Sequence, residues 1–316
     1  MKKIAEAIKK AENIIITAHI SEDADALGSV FSLTKALRNS GKKVTALLSD
    51  IPERRLQFLD CEYVVYEEGM EFSNDLLICL DSADIKRLGK RAILLEKSQS
   101  ISIDHHYTNT NFAEINYVSG DSPATGELIY KLILELGLEI TKDIAEFLYV
   151  AISGDTGSFK YSSTTPQTMR IVADLMEKGI DHAELSRRIH ETESLNAMLL
   201  KGHIMSDIKS YYNGKANIVV LEEETFKKFR VDEKDVGDIV NIPRMIEGTE
   251  VAVSIREVPE KIKISFRSNG KYNVSDIAKN FGGGGHEMAA GAAVEGKTLA
   301  EVLEKIVKVL GEYLDD

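Results

Sequence analysis

Apolar and polar positions alternate along the first half of this chain in two distinct rhythms. Ile14-Ile15-Ile16 is a short continuous apolar run of the kind a buried strand makes, and Leu27, Val30, Phe31, Thr34 and Leu37 then recur at helical spacing until Gly41 offers a stop. Val44 to Leu48, Leu76 to Leu80 and Ser100 to Ile103 read as further strands. Helical patterns follow from about Ala124 to Leu136, Lys142 to Ile152 and Gln167 to Met176. Strands separated by helices predict an α/β domain built on a mainly parallel sheet. Leu128, Leu132 and Leu136 share one apolar face, to be covered by core or by a second copy.

From His182 to Tyr212 the pattern is polar-rich and helical, without strand signals. Beyond it the rhythm changes again. Ile218 to Leu221, Val251 to Ile255 and Ile262 to Phe266 read as strands, the last two joined by the turn-forming Val258-Pro259-Glu260, and helical patterns cover Val274 to Phe281 and Leu299 to Leu314. This predicts a smaller α+β domain. The expected organisation is a catalytic domain over residues 1–184, linker helices over 185–212 and a second domain over 213–316.

Length and charge narrow the partners. At 316 residues, 43% of them apolar, there is material for about two domains with proper cores. The 39 Lys and Arg against 51 Asp and Glu leave a net charge of −12, so a long phosphate backbone gains no general attraction and long nucleic acid is not the expected partner. No apolar run is long enough to span a membrane, and the opening Met1-Lys2-Lys3-Ile4-Ala5-Glu6 turns charged too soon for a secretory signal. A cytoplasmic chain is expected. Cys61 and Cys79 form neither a disulfide framework nor a CxxC pair.

The polar clusters of the first half fall mostly just after strands: His19, Asp23 and Asp25 after the first, Asp81 after Leu76–Leu80, and Asp104, His105 and His106 after Ser100–Ile103. Asp155 follows the Lys142–Ile152 helix. The carboxyl ends of parallel strands open on one crevice, so residues far apart in sequence converge there. Asp23 and Asp25, two apart at the start of a helix, can serve different centres; His19 and Asp23 can reach the same one. Singly, each Asp is as readily a helix cap or turn residue and each His a structural one. Jointly they make an imidazole and carboxylate set without thiolate, suited to two divalent cations, Mn²⁺ first, with Mg²⁺ or Co²⁺ as alternatives. Such a pair activates water and clamps a phosphoryl group. In the second domain, Arg267 at a strand end could fork onto a phosphate, and Gly282 to Gly285 before His286 could form a backbone nest for an anion; taken alone, the glycine run reads as a flexible loop.

His19-Ile20-Ser21-Glu22-Asp23-Ala24-Asp25-Ala26-Leu27-Gly28-Ser29, Asp81, Asp104-His105-His106 and Gly154-Asp155-Thr156-Gly157 resemble, in order and separation, the four motifs of the DHH phosphoesterase family. Glu22 and Ala24 stand where the family often has proline and glycine. The segments Ile264 to Ser268 and Gly282 to Gly291 resemble its associated C-terminal domain, so the likeness covers nearly the whole chain and favours the short-oligoribonuclease branch. The resemblance implies that His19, Asp23 and Asp81 hold one cation and that Asp25, Asp81, His105 and Asp155 hold the second. It implies His106 as the catalytic group facing the phosphate, with Asp104 orienting the imidazoles from behind. Arg267, Ser268, Gly284, Gly285 and His286 would grip substrate phosphate and backbone. The implied activity is hydrolysis of short RNA and of linear or cyclic dinucleotides (pApA, cyclic-di-AMP) to mononucleotides, with 3′-phosphoadenosine 5′-phosphate (PAP) phosphatase activity at the same centre, in a homodimer. The alternatives are an inorganic pyrophosphatase or polyphosphatase, which use the same centre, and a nucleotide sensor without turnover.

Overall fold

The computed structural model describes residues 1–232 and 239–314. It divides into two compact units, Met1–Thr192 and Glu193–Asp316. In the first, α1 (Lys2–Lys10) precedes β1 (Asn13–Thr17), α2 (Ala24–Asn39), β2 (Lys43–Leu48), β3 (Val64–Val65), β4 (Leu76–Leu80), β5 (Gln99–Asp104) and β6 (Ile115–Val118). The helices α3 (Thr125–Glu135), α4 (Lys142–Asp155), α5 (Pro166–Glu177) and α6 (His182–Ser186) follow. The sheet order is β3-β2-β1-β4-β5-β6 and every pairing in it is parallel. The α/β expectation therefore holds. β4 is buried along its whole length because both sheet faces are covered: Leu76, Ile78 and Leu80 join the α2, α3 and α4 side, and Leu77 and Cys79 the other. Residues buried on both faces leave no polar alternation, which is why the strand reads as one apolar run. Each such fully buried aliphatic side chain contributes roughly 1.5–3 kcal/mol.

Chain order reverses at β1 and β4, which lie side by side at the centre of the sheet. Ligands of open parallel sheets bind outside the carboxyl ends of strands at such a reversal. Helix α2 lies against α4 and α3, and Leu128 and Leu132 are fully buried there, so that apolar face is core. Asp155 does not follow the helix, as expected, but is its last residue, and Thr156 N still donates to Ile152 O at 3.1 Å. A Cβ at Gly154 would lie 2.6 Å from Ala24 Cβ, so only glycine lets the end of α4 close onto the start of α2.

The second unit opens with α7 (Leu195–Ser206) and β7 (Lys209–Tyr211), then β8 (Ala216–Leu221), α8 (Glu223–Phe229), α9 (Asn241–Arg244), β9 (Val251–Val258), β10 (Lys261–Ser268), α10 (Val274–Lys279), β11 (Gly284–Gly285), β12 (Ala289–Val294) and α11 (Leu299–Leu314). Its sheet runs β11-β12-β10-β9-β8-β7, antiparallel except for β8 with β9. Strand β7 corrects the expectation of uninterrupted helix to Tyr212; it is a three-residue edge strand, too short for an alternation to register. Along β8, Ala216 and Ile218 face the cluster of α10 and α11, whereas Val219 and Leu221 face Leu200 and Ile204 of α7 and Phe226 of α8. The period of two thus sandwiches the sheet between helices.

Candidate metal centre

The ends of β1, β4 and β5, the start of α2 and the end of α4 bring the first unit's carboxylates and imidazoles together. His19 leaves β1 two residues after its end, and its Nδ1 donates to Ile20 O at 2.8 Å. A carbonyl only accepts, so Nδ1 carries the proton and Nε2 of the neutral ring is a lone pair. His19 Nε2 faces Asp23 Oδ2 at 3.6 Å and Asp81 Oδ2 at 3.5 Å. His105 repeats the device. Its Nδ1 lies 3.2 Å from Ser122 O, and its buried Nε2 faces Asp155 Oδ2 at 3.2 Å, Asp81 Oδ1 at 3.5 Å and Asp25 Oδ2 at 3.9 Å.

Asp23 does two things at once. Its Oδ1 caps α2 by accepting from Asp25 N and Ala26 N at 3.1 and 3.0 Å, while Oδ2 turns to His19. Asp25, on the first turn of α2, is held by the start of α3: Thr125 N donates to Oδ2 at 2.6 Å and Gly126 N to Oδ1 at 2.8 Å. Asp81, 2% exposed with φ of 52°, splits its oxygens between the two histidines, and Thr125 Oγ1 donates to its Oδ1 at 3.0 Å.

Asp104, the last residue of β5, accepts from His106 Nδ1 at 2.8 Å and from Asn109 Nδ2 at 2.7 Å. It therefore orients His106; His105 is oriented instead by the Ser122 carbonyl, which corrects the expectation that Asp104 serves both rings.

The charges perturb one another in the directions this packing dictates. Burial opposes protonation of His19, but Asp23 and Asp81 outweigh it and push the imidazole up to about 11. His105 is pushed up to about 10 against burial by Asp155, Asp25 and Asp81. Burial and the neighbouring Asp81 and Asp155 charges hold Asp25 well above the carboxylate range, and burial with the Asp81 and Asp23 charges raises Asp155. Without cations these carboxylates hold a second proton on each imidazole, a place that a divalent ion could take instead. Ligand atoms of His19, Asp23 and Asp81 lie within 4.8 Å of one another, as do those of Asp25, His105 and Asp155, and those of Asp81, His105 and His106. The residues fit two divalent ions, with Asp81 reaching both groups. Thiolate is absent from the set: Cys79 faces the core from within β4.

Sequence reasoning missed Thr125, Asn109 and Ser122. A Thr-Gly helix start after Ser122-Pro123-Ala124 was the one available signal for Thr125.

In the second unit, Arg267 is the penultimate residue of β10, half-buried, with Nη1 donating to Phe266 O at 3.0 Å. Ser268 is buried and its Oγ accepts from Gly270 N at 3.1 Å, which gives it a turn-holding role. The glycine run is not a flexible loop. Gly284 and Gly285 pair with Gly291 and Ala290 in a hairpin, and His286 and Ala289 close its turn with N–H to O bonds of 2.7 and 3.2 Å. A Cβ at Gly283 would lie 2.1 Å from Gly291 O, whereas one at Gly284 meets nothing within 4 Å. Among the described residues the hairpin is thus open at Gly284 and closely packed at Gly283.

Comparison with known proteins places these observations. The model of the DHH family, N-terminal domain, matches residues 13–152, and that of the DHHA1 domain matches residues 213–316. The bifunctional oligoribonuclease and PAP phosphatase NrnA of Thermus thermophilus is 33% identical over 99% of this chain and 94% of its own. The cyclic-di-AMP phosphodiesterase GdpP of Bacillus subtilis is 24% identical over 99% of this chain and 49% of its own. The crystal structure of an exopolyphosphatase-related protein from Bacteroides fragilis superposes with a TM-score of 0.93 at 29% identity, covering 100% of this chain and 97% of that one.

Proposed function

The chain belongs to the DHH family and is a phosphoester hydrolase, and on that premise we propose that it cleaves short oligoribonucleotides and linear or cyclic dinucleotides to mononucleotides, and removes the 3′-phosphate of PAP at the same centre. The observation that carries this reading is the pair of buried Nε2 atoms of His19 and His105 facing carboxylates, with Asp81 shared between them. His19, Asp23 and Asp81 would hold one cation and Asp25, Asp81, His105 and Asp155 the other, Mn²⁺ being the favoured ion for a set of imidazoles and carboxylates. When bound, the two cations supply a water acidified enough to attack phosphorus near neutral pH and positive charge for the phosphoryl oxygens.

The protein's own groups do the rest. Thr125 N and Gly126 N fix Asp25, so its carboxylate is aimed before any ligand arrives. His106 is the catalytic group that gives its proton to the leaving oxygen. Burial works against that proton, but Asp104 and Asp81 raise the His106 pKa, which favours the charged ring. Arg267 and the Gly284-Gly285-His286 hairpin bind substrate phosphate and backbone, with Ser268 holding the adjoining turn.

Homodimeric assembly and cytoplasmic residence belong to the same proposal; among the described residues no helix is long and apolar enough to cross a membrane. The test is a side-by-side product assay in Mn²⁺ on a dinucleotide, a cyclic dinucleotide, a five-residue RNA, PAP and pyrophosphate. Mononucleotide release from the short nucleotides is the expected result. Phosphate release from pyrophosphate at a far higher rate, or dinucleotide binding without turnover, would overturn it. Light scattering on the same protein checks the dimer.

A further inference from the structure

The loop that carries His19 and Asp23 is fastened from behind by a buried charge pair. Arg91, 1% exposed, lies in the 3-10 segment Ile85–Glu96, and its Nη1 donates to Glu22 Oε1 at 2.8 Å, Thr17 Oγ1 at 2.7 Å and Leu47 O at 3.0 Å. Glu22, 5% exposed, also accepts from Ser49 N and Ser49 Oγ, both at 2.7 Å. The neighbouring positions are tied as well: Ile20 N donates to Arg87 O at 2.7 Å, and Ser21 N to Ser49 Oγ at 3.2 Å. Ser21 is held at φ of 57°, a left-handed backbone that serine adopts only under constraint. Every residue between His19 and Asp23 is therefore anchored, and Glu22 with Arg91 supplies the most buried anchor.

Stability alone is a poor explanation for this pair. Burying two charges costs desolvation that their attraction often only repays, and apolar residues of similar volume usually serve a core as well. Arg91 Nη2 is moreover buried without a hydrogen-bond partner among the described residues, so the fork is not fully used. What the pair does supply is direction: it fixes the Glu22 backbone, and with it the separation of His19 from Asp23, against the ends of β1 and β2.

We propose that Glu22 and Arg91 are positioning residues that set the cation affinity of the His19, Asp23 and Asp81 group, and leave the Asp25, His105 and Asp155 group untouched. The inference rests on the reading of those residues as ligands. Groups that orient metal ligands from behind typically change metal affinity about 10–100-fold when removed.

The experiment is a Mn²⁺ titration of the EDTA-stripped full chain, with free Mn²⁺ read by electron paramagnetic resonance, on wild type, Glu22→Gln, Arg91→Lys and the double variant Glu22→Met/Arg91→Met. Thermal midpoints are measured alongside in EDTA. The expected result is one of the two Mn²⁺ sites weakened about 10–100-fold in all three variants, with activity lost at low Mn²⁺ recovered at high Mn²⁺. The double variant should keep a wild-type midpoint, because an apolar pair fills the same space, and still show the weakened site. Wild-type affinity at both sites in the double variant, or an equal loss at both, would make the pair merely structural and overturn the proposal. Wild type that binds no Mn²⁺ would instead remove the ligand reading beneath it.

Discussion

Asp81→Asn isolates the charge that both candidate cation groups share. Asparagine keeps the shape of the side chain and, like aspartate, tolerates the left-handed backbone at φ of 52°. Only one negative charge is lost, at a site 2% exposed to solvent. Unit charges about 4 Å apart interact by about 4 kcal/mol at an effective dielectric near 20. At about 1.4 kcal/mol per decade, cation affinity should fall by about three orders of magnitude. A thousandfold weaker ligand forfeits about 4 kcal/mol of ligand-linked stability at a concentration that saturates the wild type. For a unit of this size, about 2–4 °C per kcal/mol translates that into a Mn²⁺-induced rise in Tm smaller by roughly 8–16 °C.

In EDTA the balance differs. Losing the Asp81 charge removes attraction to His19 and His105 but relieves the repulsion that helps raise Asp25 and Asp155. The opposing changes should leave the metal-free Tm close to wild type. Asp81→Ala adds a separate cost of about 1–2 kcal/mol, because alanine has no means to favour the left-handed backbone. Scanning calorimetry with and without Mn²⁺, paired with turnover of a dinucleotide, reads all three quantities. An Asn variant with the full Mn²⁺ shift and near-wild-type turnover would refute the shared role of Asp81.

Other variants probe separate links. Thr125→Val keeps the backbone N–H that holds Asp25 but deletes the hydroxyl donated to Asp81, and should weaken Mn²⁺ binding about tenfold by titration. Arg267→Ala should raise KM for a dinucleotide about 10–100-fold, the value of a charge-assisted hydrogen bond, with a smaller effect on kcat; an unchanged KM with a large fall in kcat contradicts the grip assignment. Gly283→Ala drives a Cβ into Gly291 O and should lower the Tm of the second unit, whereas Gly284→Ala fits in open space and should fold normally while binding substrate less well. Equal midpoints for the two glycine variants would contradict the hairpin account.

The parallel sheet was legible because β1 and β4 are buried on both faces and so read as unbroken apolar runs. Strand β6 was missed because all four of its residues are only partly buried at a sheet edge, and β12 because Ala289-Ala290-Gly291-Ala292-Ala293 carries no β-branched or aromatic residue before Val294. The ligand candidates were legible for a chemical reason: imidazoles and carboxylates at strand ends are costly to bury without a use. Ser122 acts through its backbone carbonyl, and every residue has one, so sequence could not single it out. Asp23 shows that a helix cap and a candidate ligand need not exclude each other, since Oδ1 caps α2 while Oδ2 faces His19.

The adjacent pair His105 and His106 carries that reasoning furthest. Sequence presents two equal histidines; the structure separates them by what each Nδ1 meets. A carbonyl at Nδ1 accepts the proton of a neutral ring and leaves Nε2 as a lone pair, which is the form that ligates a cation. A carboxylate at Nδ1 favours the charged ring, and Asp104 is itself held below the ordinary carboxylate range, against the effect of burial, by His106 and Asn109. On the proposed reading the two rings, with centroids 4.4 Å apart, would do different work, His105 offering Nε2 to a cation and His106 keeping a proton, because their Nδ1 partners differ and only the fold determines where those partners lie.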